Sequence, residues 1–510
     1  MKKISNLTFL GLIFSFSLSF SIANAQNAKS YTSEITKAIN LIKSRKNISA
    51  AQLLLSLSKV ATISSQKARI KYLLGISFME INLNQTAAIQ FVEVIRSGDV
   101  TWTKLSIEKL LIVTDRLGDE TLLNFAVQRA DINQIPEASR EILYFRLAEI
   151  KHKLGSTADA IDLYAKVTSK SRYFFSALYN MGLAQAETNQ PAQALQSFNR
   201  LLESRKDSGI TDTNKVTTQM AIARTLYQSK NWNKSIEAYS KIPRDHALWH
   251  DALFEKTWAM LRAARFRSTL SNFQSLHSSF YEDFYLPETL LLRAIVYLYI
   301  CQYDEMDKVL SLYEKQYAPV LDNISLFLQN TNLESYFLEI NKTYQMKKSA
   351  DNKKQFLLPY NVLKHIAEEG DVRRSHAYLK KIYEEKLAIE VNALLKNSAV
   401  GSYAKRIVNN RIKNAKLVLG EMVKNHLIQI KDELTDLSEQ SSYIRYEMIN
   451  GRKEALKKKT IAINLSGQES NTIPQQYFDI QDGYEYYPFQ GEYWLDEIGN
   501  YHFLGKQSCE

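Results

Sequence analysis

The feature that most constrains this chain is a recurrence at 34 residues: Tyr144, Leu147, Ala148, Ala160 and Tyr164 return as Leu178, Met181, Gly182, Ala194 and Phe198. A second set at the same offset aligns Ala223, Leu226, Trp232, Ser235, Tyr239 and Ile242 with Thr257, Met260, Phe266, Thr269, Phe273 and Leu276. Apolar residues at helical spacing, with one small residue on each of two successive segments, predict pairs of antiparallel helices stacked along the chain. Ala148, Gly182 and Ala223 on the first helix, and Ala160, Ala194 and Ser235 on the second, let the backbones approach. Tyr164, Phe198 and Tyr239 fill the space that remains.

Weaker copies extend the array. Gly75, Phe78, Ala87 and Phe91 form one, and Leu290, Ala294, Tyr297, Met306 and Leu310 form another. Eight pairs are expected over 32–320, centred on second-helix positions Ala51, Ala87, Leu123, Ala160, Ala194, Ser235, Thr269 and Met306. The insert Ser204 to Asp212 is read as a longer loop between pairs. Gly and Pro together number 24 of 510 residues, well below the usual share of about 12%, which argues against a sandwich, a propeller or a disordered chain. A large apolar residue, a small one four on, a small one twelve further and an aromatic four beyond that resemble the tetratricopeptide repeat (TPR) family. That resemblance implies an all-α solenoid whose groove holds segments of partner proteins.

Beyond the array, a helical extension is expected over 321–460. It comprises a helix at Asp322 to Gln345, a basic break at Lys347 to Lys354, and Gln355 to Asn397 with an interruption at Glu369-Gly370. A long helix from Ala404 to about Leu456 follows, on which Val423, Leu427, Ile430, Leu434, Leu437, Ser441, Ile444 and Met448 make a heptad seam. A seam needs a facing helix, either Gln355 to Asn397 folded back as a coiled-coil hairpin or the same helix of a second chain. Between Ala404 and Lys459 there are 13 Lys and Arg against 7 Asp and Glu. That basic face is either solvated or a contact for an anionic membrane or cell-wall surface. The tail, 475–510, carries ten aromatics between Tyr477 and Phe503. Glu492 to Glu497 and Tyr501 to Lys506 are expected to form a β-hairpin around Ile498-Gly499-Asn500, docked on the helices or serving as an aromatic platform.

The start of the chain predicts its address. Met1-Lys2-Lys3, an apolar run from Leu7 to Ile22 and Ala23-Asn24-Ala25 read as a secretory signal peptide, residues 1–25. No Cys follows the cut, so no lipid anchor is expected, and the mature chain is read as periplasmic, soluble or peripherally attached to the outer membrane. Export also removes nucleic acid as the default partner of the basic helix. An oxidising compartment permits a bond between the two cysteines, Cys301 and Cys509. It would clasp the tail to the array, two unrelated thiols being the alternative.

Trp249-His250-Asp251-Ala252-Leu253, Tyr285-Leu286-Pro287-Glu288, Cys301-Gln302-Tyr303-Asp304-Glu305 and Pro488 through Glu497 resemble exported TPR proteins of bacterial adventurous gliding motility and related envelope machinery. The resemblance implies a scaffold in a multiprotein complex and carries over no catalytic residues. A search for chemistry agrees. His246 and His250 stand at helical metal spacing without a third ligand, and no phosphate loop, nucleophile elbow or Cys pair at metal spacing is present. No catalytic residue, cofactor or metal is therefore assigned. The favoured function is a non-catalytic periplasmic scaffold. The alternatives are an outer-membrane assembly or transport accessory, and a peptidoglycan-active enzyme built on a helical solenoid.

Overall fold

The computed structural model describes residues 31–60, 66–131, 133, 137–206, 212–346, 356–466 and 491–503. The expected signal peptide, the basic break at Lys347 to Lys354, most of the Ser204 to Asp212 insert, Cys509 and the tail aromatics before Gly491 lie outside them. Among the described residues every regular element is a helix. The first sixteen fall into eight pairs: α1 (31–43) with α2 (Asn47–Ser58), α3 (Lys67–Glu80) with α4 (Asn84–Ser97), α5 (Val100–Leu117) with α6 (Glu120–Val127), and α7 (Glu137–Lys153) with α8 (Thr157–Ala165). Then come α9 (Phe174–Glu187) with α10 (Pro191–Lys206), α11 (Asp212–Gln228) with α12 (Trp232–Tyr239), α13 (Trp249–Arg262) with α14 (Phe266–Leu276), and α15 (Glu288–Tyr299) with α16 (Tyr303–Asn330). The extension is α17 (Leu333–Gln345), α18 (Tyr360–Glu368), α19 (Gly370–Val391), α20 (Ala393–Lys396) and α21 (Ala399–Ser466).

One device makes the turn inside every pair. Arg45, Asn82, Gly118, Gly155, Asn189, Lys230, Ala264 and Cys301 each hold a positive φ, between 56° and 79°. The next residue's N–H then reaches back five positions, as in Lys46 to the Leu41 carbonyl, Gln190 to Gln185 and Gln302 to Tyr297. This left-handed ending satisfies carbonyls that a helix C-terminus leaves open. Only two of the eight positions are glycine, so the turn does not draw on the chain's scarce Gly. The second-helix centre stands five after this position in each pair, a small residue in all but Leu123 and Met306. By that register the centre of the first pair is Ala50, one residue before the expected Ala51, and both are buried. The array does not end at the expected 320, because α16 runs on through Pro319; the break comes instead at Asn332, whose side chain accepts from Ser335 N and caps α17.

Contacts divide the chain into two compact units, one of residues 1–150 with 373–418 and the other of 151–372 with 419–510. In the first, Gly75 lies against the ring of Phe91, where an added Cβ would come within 2.7 Å. Residues 373–418 pack on the same pairs: the Tyr403 ring stacks on Phe78 and its hydroxyl accepts from Gln90 Nε2 at 2.8 Å.

In the second unit, Gly182 faces Phe198 as Gly75 faces Phe91, with a Cβ built there 2.5 Å from the ring. The Ser235 hydroxyl donates to the Ala223 carbonyl at 2.9 Å, a bond that needs two closely approaching backbones. Ala160, Tyr164, Ala194, Phe198, Ala223, Ser235 and Tyr239 are all buried there, as Ala148 is in the first unit. Gly182→Ala is expected to lower stability by about 1–3 kcal/mol through overpacking. Alanine's helix-propensity advantage of about 1 kcal/mol offsets only part of that, because Phe198 has no exposed surface into which to retreat. A urea midpoint that stays or rises would contradict this register.

The seam of α21 is buried in this unit from Val423 to Leu437 and again at Ser441 and Met448. Its facing helix there is α16, which runs antiparallel to it. Tyr313 Oη donates to the Leu434 carbonyl, Arg445 pairs with Asp307 and Glu314, Gly451 abuts the Tyr303 ring, and Arg452 pairs with Asp304. α19 does fold back on α21, with Lys405–Glu390 and Arg411–Tyr378 in the first unit and His426–Asp371 in the second.

Candidate functional site

The second unit carries a cavity of about 390 Å³ lined by Arg224 and Tyr227 of α11, Tyr239 of α12, and Glu255, Trp258 and Arg262 of α13. Spacings of three and four residues set Arg224 with Tyr227, and Glu255 with Trp258 and Arg262, on one face of each first helix. Arg224 grips Glu255 through two bonds, Nε at 2.8 Å and Nη2 at 2.5 Å, while Tyr239 Oη donates to the same carboxylate at 2.8 Å. Glu255 is thereby committed. Its bonds push the Arg224 guanidinium up, while burial and then the adjacent carboxylate push the Tyr239 phenol up. On the far wall, Trp258 hydrogen-bonds Glu288, whose carboxyl burial raises above its ordinary value. Tyr227 is held edge-on by Trp232 at 5.0 Å. Arg262 is exposed and has no partner among the described residues. The cavity therefore offers one uncommitted guanidinium and two aromatic side chains in its lining, on a scaffold fixed by an internal ion pair.

The other polar clusters are turned inward. In the first unit Glu385 of α19, 5% exposed, accepts from the backbone N–H groups of Gln85 and Thr86 and from the Thr86 hydroxyl, at 2.7–3.0 Å. It caps α4, whose own N-cap residue, Leu83, makes no side-chain cap. Nothing in the local sequence announces this, since the partners lie 299 and 300 positions apart. His246 Nδ1 accepts from Leu248 N, and His250 is buried against the rings of Phe284 and Tyr281 at 4.0 and 4.5 Å, so the two work locally. No group of three His, Cys, Asp or Glu stands at metal-binding geometry among the described residues. Cys301 occupies the turn between α15 and α16, while Cys509 lies outside the described residues. On the basic helix, Lys405, Arg411, Arg445, Arg452 and Lys457 form ion pairs within the chain.

The expected β-hairpin is not formed: the described tail residues, 491–503, contain a turn over 495–499 and no strand. The reason lies in where its backbone bonds go. Arg244 takes the carbonyls of Leu495, Asp496 and Ile498, and Gly499 N and Phe503 N donate to Ser275 Oγ and Ser271 Oγ of α14. With these groups satisfied by the array, no second strand is required.

Comparison with known proteins reaches the repeat level. The tetratricopeptide-repeat family profile matches residues 176–208, and no curated protein matches the chain. Among solved structures, it is similar to the apo form of RapI at 12% identity, with 70% of this chain and 98% of that one covered and a TM-score of 0.37. It is also similar to a tetratricopeptide repeat protein from Parabacteroides merdae at 16% identity, with 56% and 93% covered and a TM-score of 0.26. A Rap conjugation gene regulator of plasmid pLS20 in complex with the Phr* peptide is 14% identical, with 66% and 97% covered and a TM-score of 0.30. Likenesses this distant carry nothing about site or partner. The family match falls on α9 and α10, the fifth of the eight helix pairs.

Proposed function

We propose that this chain is a non-catalytic scaffold of the cell envelope, exported to the periplasm, that holds partner proteins by short segments laid across the first helices of its pairs. The observation that carries the reading is the cavity at Arg262, Trp258 and Tyr227: a guanidinium without a partner, in one lining with two aromatic side chains, suits a carboxylate next to an aromatic or branched apolar side chain. The sequence resemblance points to gliding-related envelope machinery as the setting.

The test is a panel of acidic–aromatic peptides titrated into the purified chain. Arg262→Glu is expected to weaken binding at least ~10-fold, raising the salt concentration should weaken binding to the parent chain, and the melting temperature should stay unchanged. Equal binding by the two chains would reject the site. The mature protein should be recovered from the periplasmic fraction beginning at Gln26. An uncut chain in the cytoplasm would reject the envelope setting.

A further inference from the structure

The tail segment 491–503 is held on the second unit in the manner of a bound peptide. Its recognition runs almost wholly through main-chain groups: Arg244 donates to Leu495 O at 3.0 Å, to Asp496 O at 3.1 Å and to Ile498 O, Ser275 Oγ accepts from Gly499 N at 2.7 Å, and Ser271 Oγ accepts from Phe503 N at 2.9 Å. The receptor groups are themselves placed. Ser271 donates its own proton to the Arg267 carbonyl, which leaves its lone pair for the Phe503 amide. Arg244 lies over the Trp249 ring, 5.7 Å from its centroid.

Two side-chain requirements accompany these bonds. Ile498 is 1% exposed. Gly499 has φ +87° and lies against Trp249, where a Cβ would come within 2.8 Å of the ring, so conformation and contact both select glycine there. Trp494 and Leu495, by contrast, stand 60% and 68% exposed. The surface thus reads a turn, one branched aliphatic side chain and a glycine, with Tyr493, Tyr501 and Phe503 half-buried beside them.

We propose that Arg244, Trp249, Ser271 and Ser275 form a peptide-docking site that the chain's own Ile498-Gly499 turn fills in cis. Its ligand in trans is a partner segment making the same turn, with a branched aliphatic residue followed by glycine. This site is separate from the Arg262 cavity and does not depend on it. A tethered occupant competes at high effective concentration, so the site is closed to weak ligands until the tail is displaced.

The test uses the full chain and a fluorescent peptide of residues 491–503. In Ile498→Asp, amide exchange at Gly499 and Phe503 should accelerate at least ~10-fold while the melting temperature of the helical array is retained. That variant should bind the peptide saturably, and the parent chain at least ~10-fold more weakly. Adding Arg244→Ala to Ile498→Asp should abolish the binding, and a peptide with alanine in place of Gly499 should not bind. Unchanged exchange in Ile498→Asp would overturn the proposal, as would no binding to the opened chain or binding that survives Arg244→Ala. Should Ile498→Asp lower the melting temperature of the array, Gly499→Val replaces it, with the same outcomes deciding.

Discussion

Replacing Arg411 by leucine is expected to destabilise the first unit by about 3–5 kcal/mol, because it strands a buried charge. The Asp119 side chain is 1% exposed. One of its oxygens caps α6 through Leu122 N at 3.1 Å; the other takes Arg411 Nη2 at 2.7 Å and Tyr378 Oη at 2.9 Å. Arg411 Nε also donates to the Tyr378 hydroxyl at 2.5 Å, and the Gln85 side-chain amide lies 2.7 Å from it. Tyr378 has a single proton, which goes to the carboxylate, so the amide nitrogen of Gln85 belongs toward the hydroxyl. Burial works against the Arg411 charge and is outweighed by Asp119 and Tyr378, so the guanidinium is held above its ordinary value. Burial, then Asp119, push the Tyr378 phenol up. Removing the cation leaves the carboxylate with two neutral donors in a site closed to water. Adding Asp119→Asn should recover much of the loss, since a neutral amide keeps an N-cap oxygen for Leu122. Urea denaturation of the two single variants and the double variant closes the cycle. A loss under ~1 kcal/mol for Arg411→Leu would mean that Asp119 is solvated.

The same residues show what sequence reasoning can and cannot reach. Gly182 and Phe198, like Gly75 and Phe91, stand sixteen apart in the chain, and that local spacing made the pairs legible because each pair buries its own glycine under its own ring. The turns were invisible: Arg, Asn, Lys, Ala and Cys all take the left-handed position, so no residue type marks it. The seam on α21 announced a partner without naming it, since a heptad reports that a face is covered and not by what. Its partner proved to be α16, more than a hundred residues earlier. The tail misled for a related reason. Aromatics around Gly-Asn favour a hairpin when the only hydrogen-bond partners are in the neighbouring strand, but Ser271 and Ser275 as acceptors and Arg244 as donor supply partners from 224 to 254 positions away. In the candidate cavity, Tyr239 was visible as a packing residue. Arg262 was not, because an exposed arginine on a helix becomes informative only when its neighbours' charges are seen to be spent on one another.

Acid should destabilise the second unit through His277. Its ring stacks on Phe273, with Nε2 2.9 Å from Thr289 Oγ1 and Nδ1 3.2 Å from Arg293 Nη1. Thr289 already donates to the Leu286 carbonyl at 2.7 Å, so its oxygen accepts from His277. Arg293 can only donate, so Nδ1 must accept. Both neighbours therefore demand the neutral ring with its proton on Nε2, and a second proton would point into a guanidinium. Burial first, then Arg293 and His250, lower the imidazole from 6.5 to about 3. The folded value lies below the unfolded one, so the unfolded chain binds more protons between them. The stability is full above pH 6.5 and is lost as pH falls, at up to ~1.4 kcal/mol per pH unit. Near pH 3 the loss should reach about 3–5 kcal/mol, the lower figure allowing for the ring's partial exposure to solvent. Glu288 and Glu433, both raised chiefly by burial, act in the opposite sense in the acid range, so the total curve is a balance and the informative quantity is a difference. His277→Gln keeps one donor and one acceptor without a titrating proton. Its stability relative to the parent should be constant above pH 6.5 and climb steadily below it, as read from urea midpoints between pH 4 and 8. Parallel curves would show that His277 is free to charge in the folded chain.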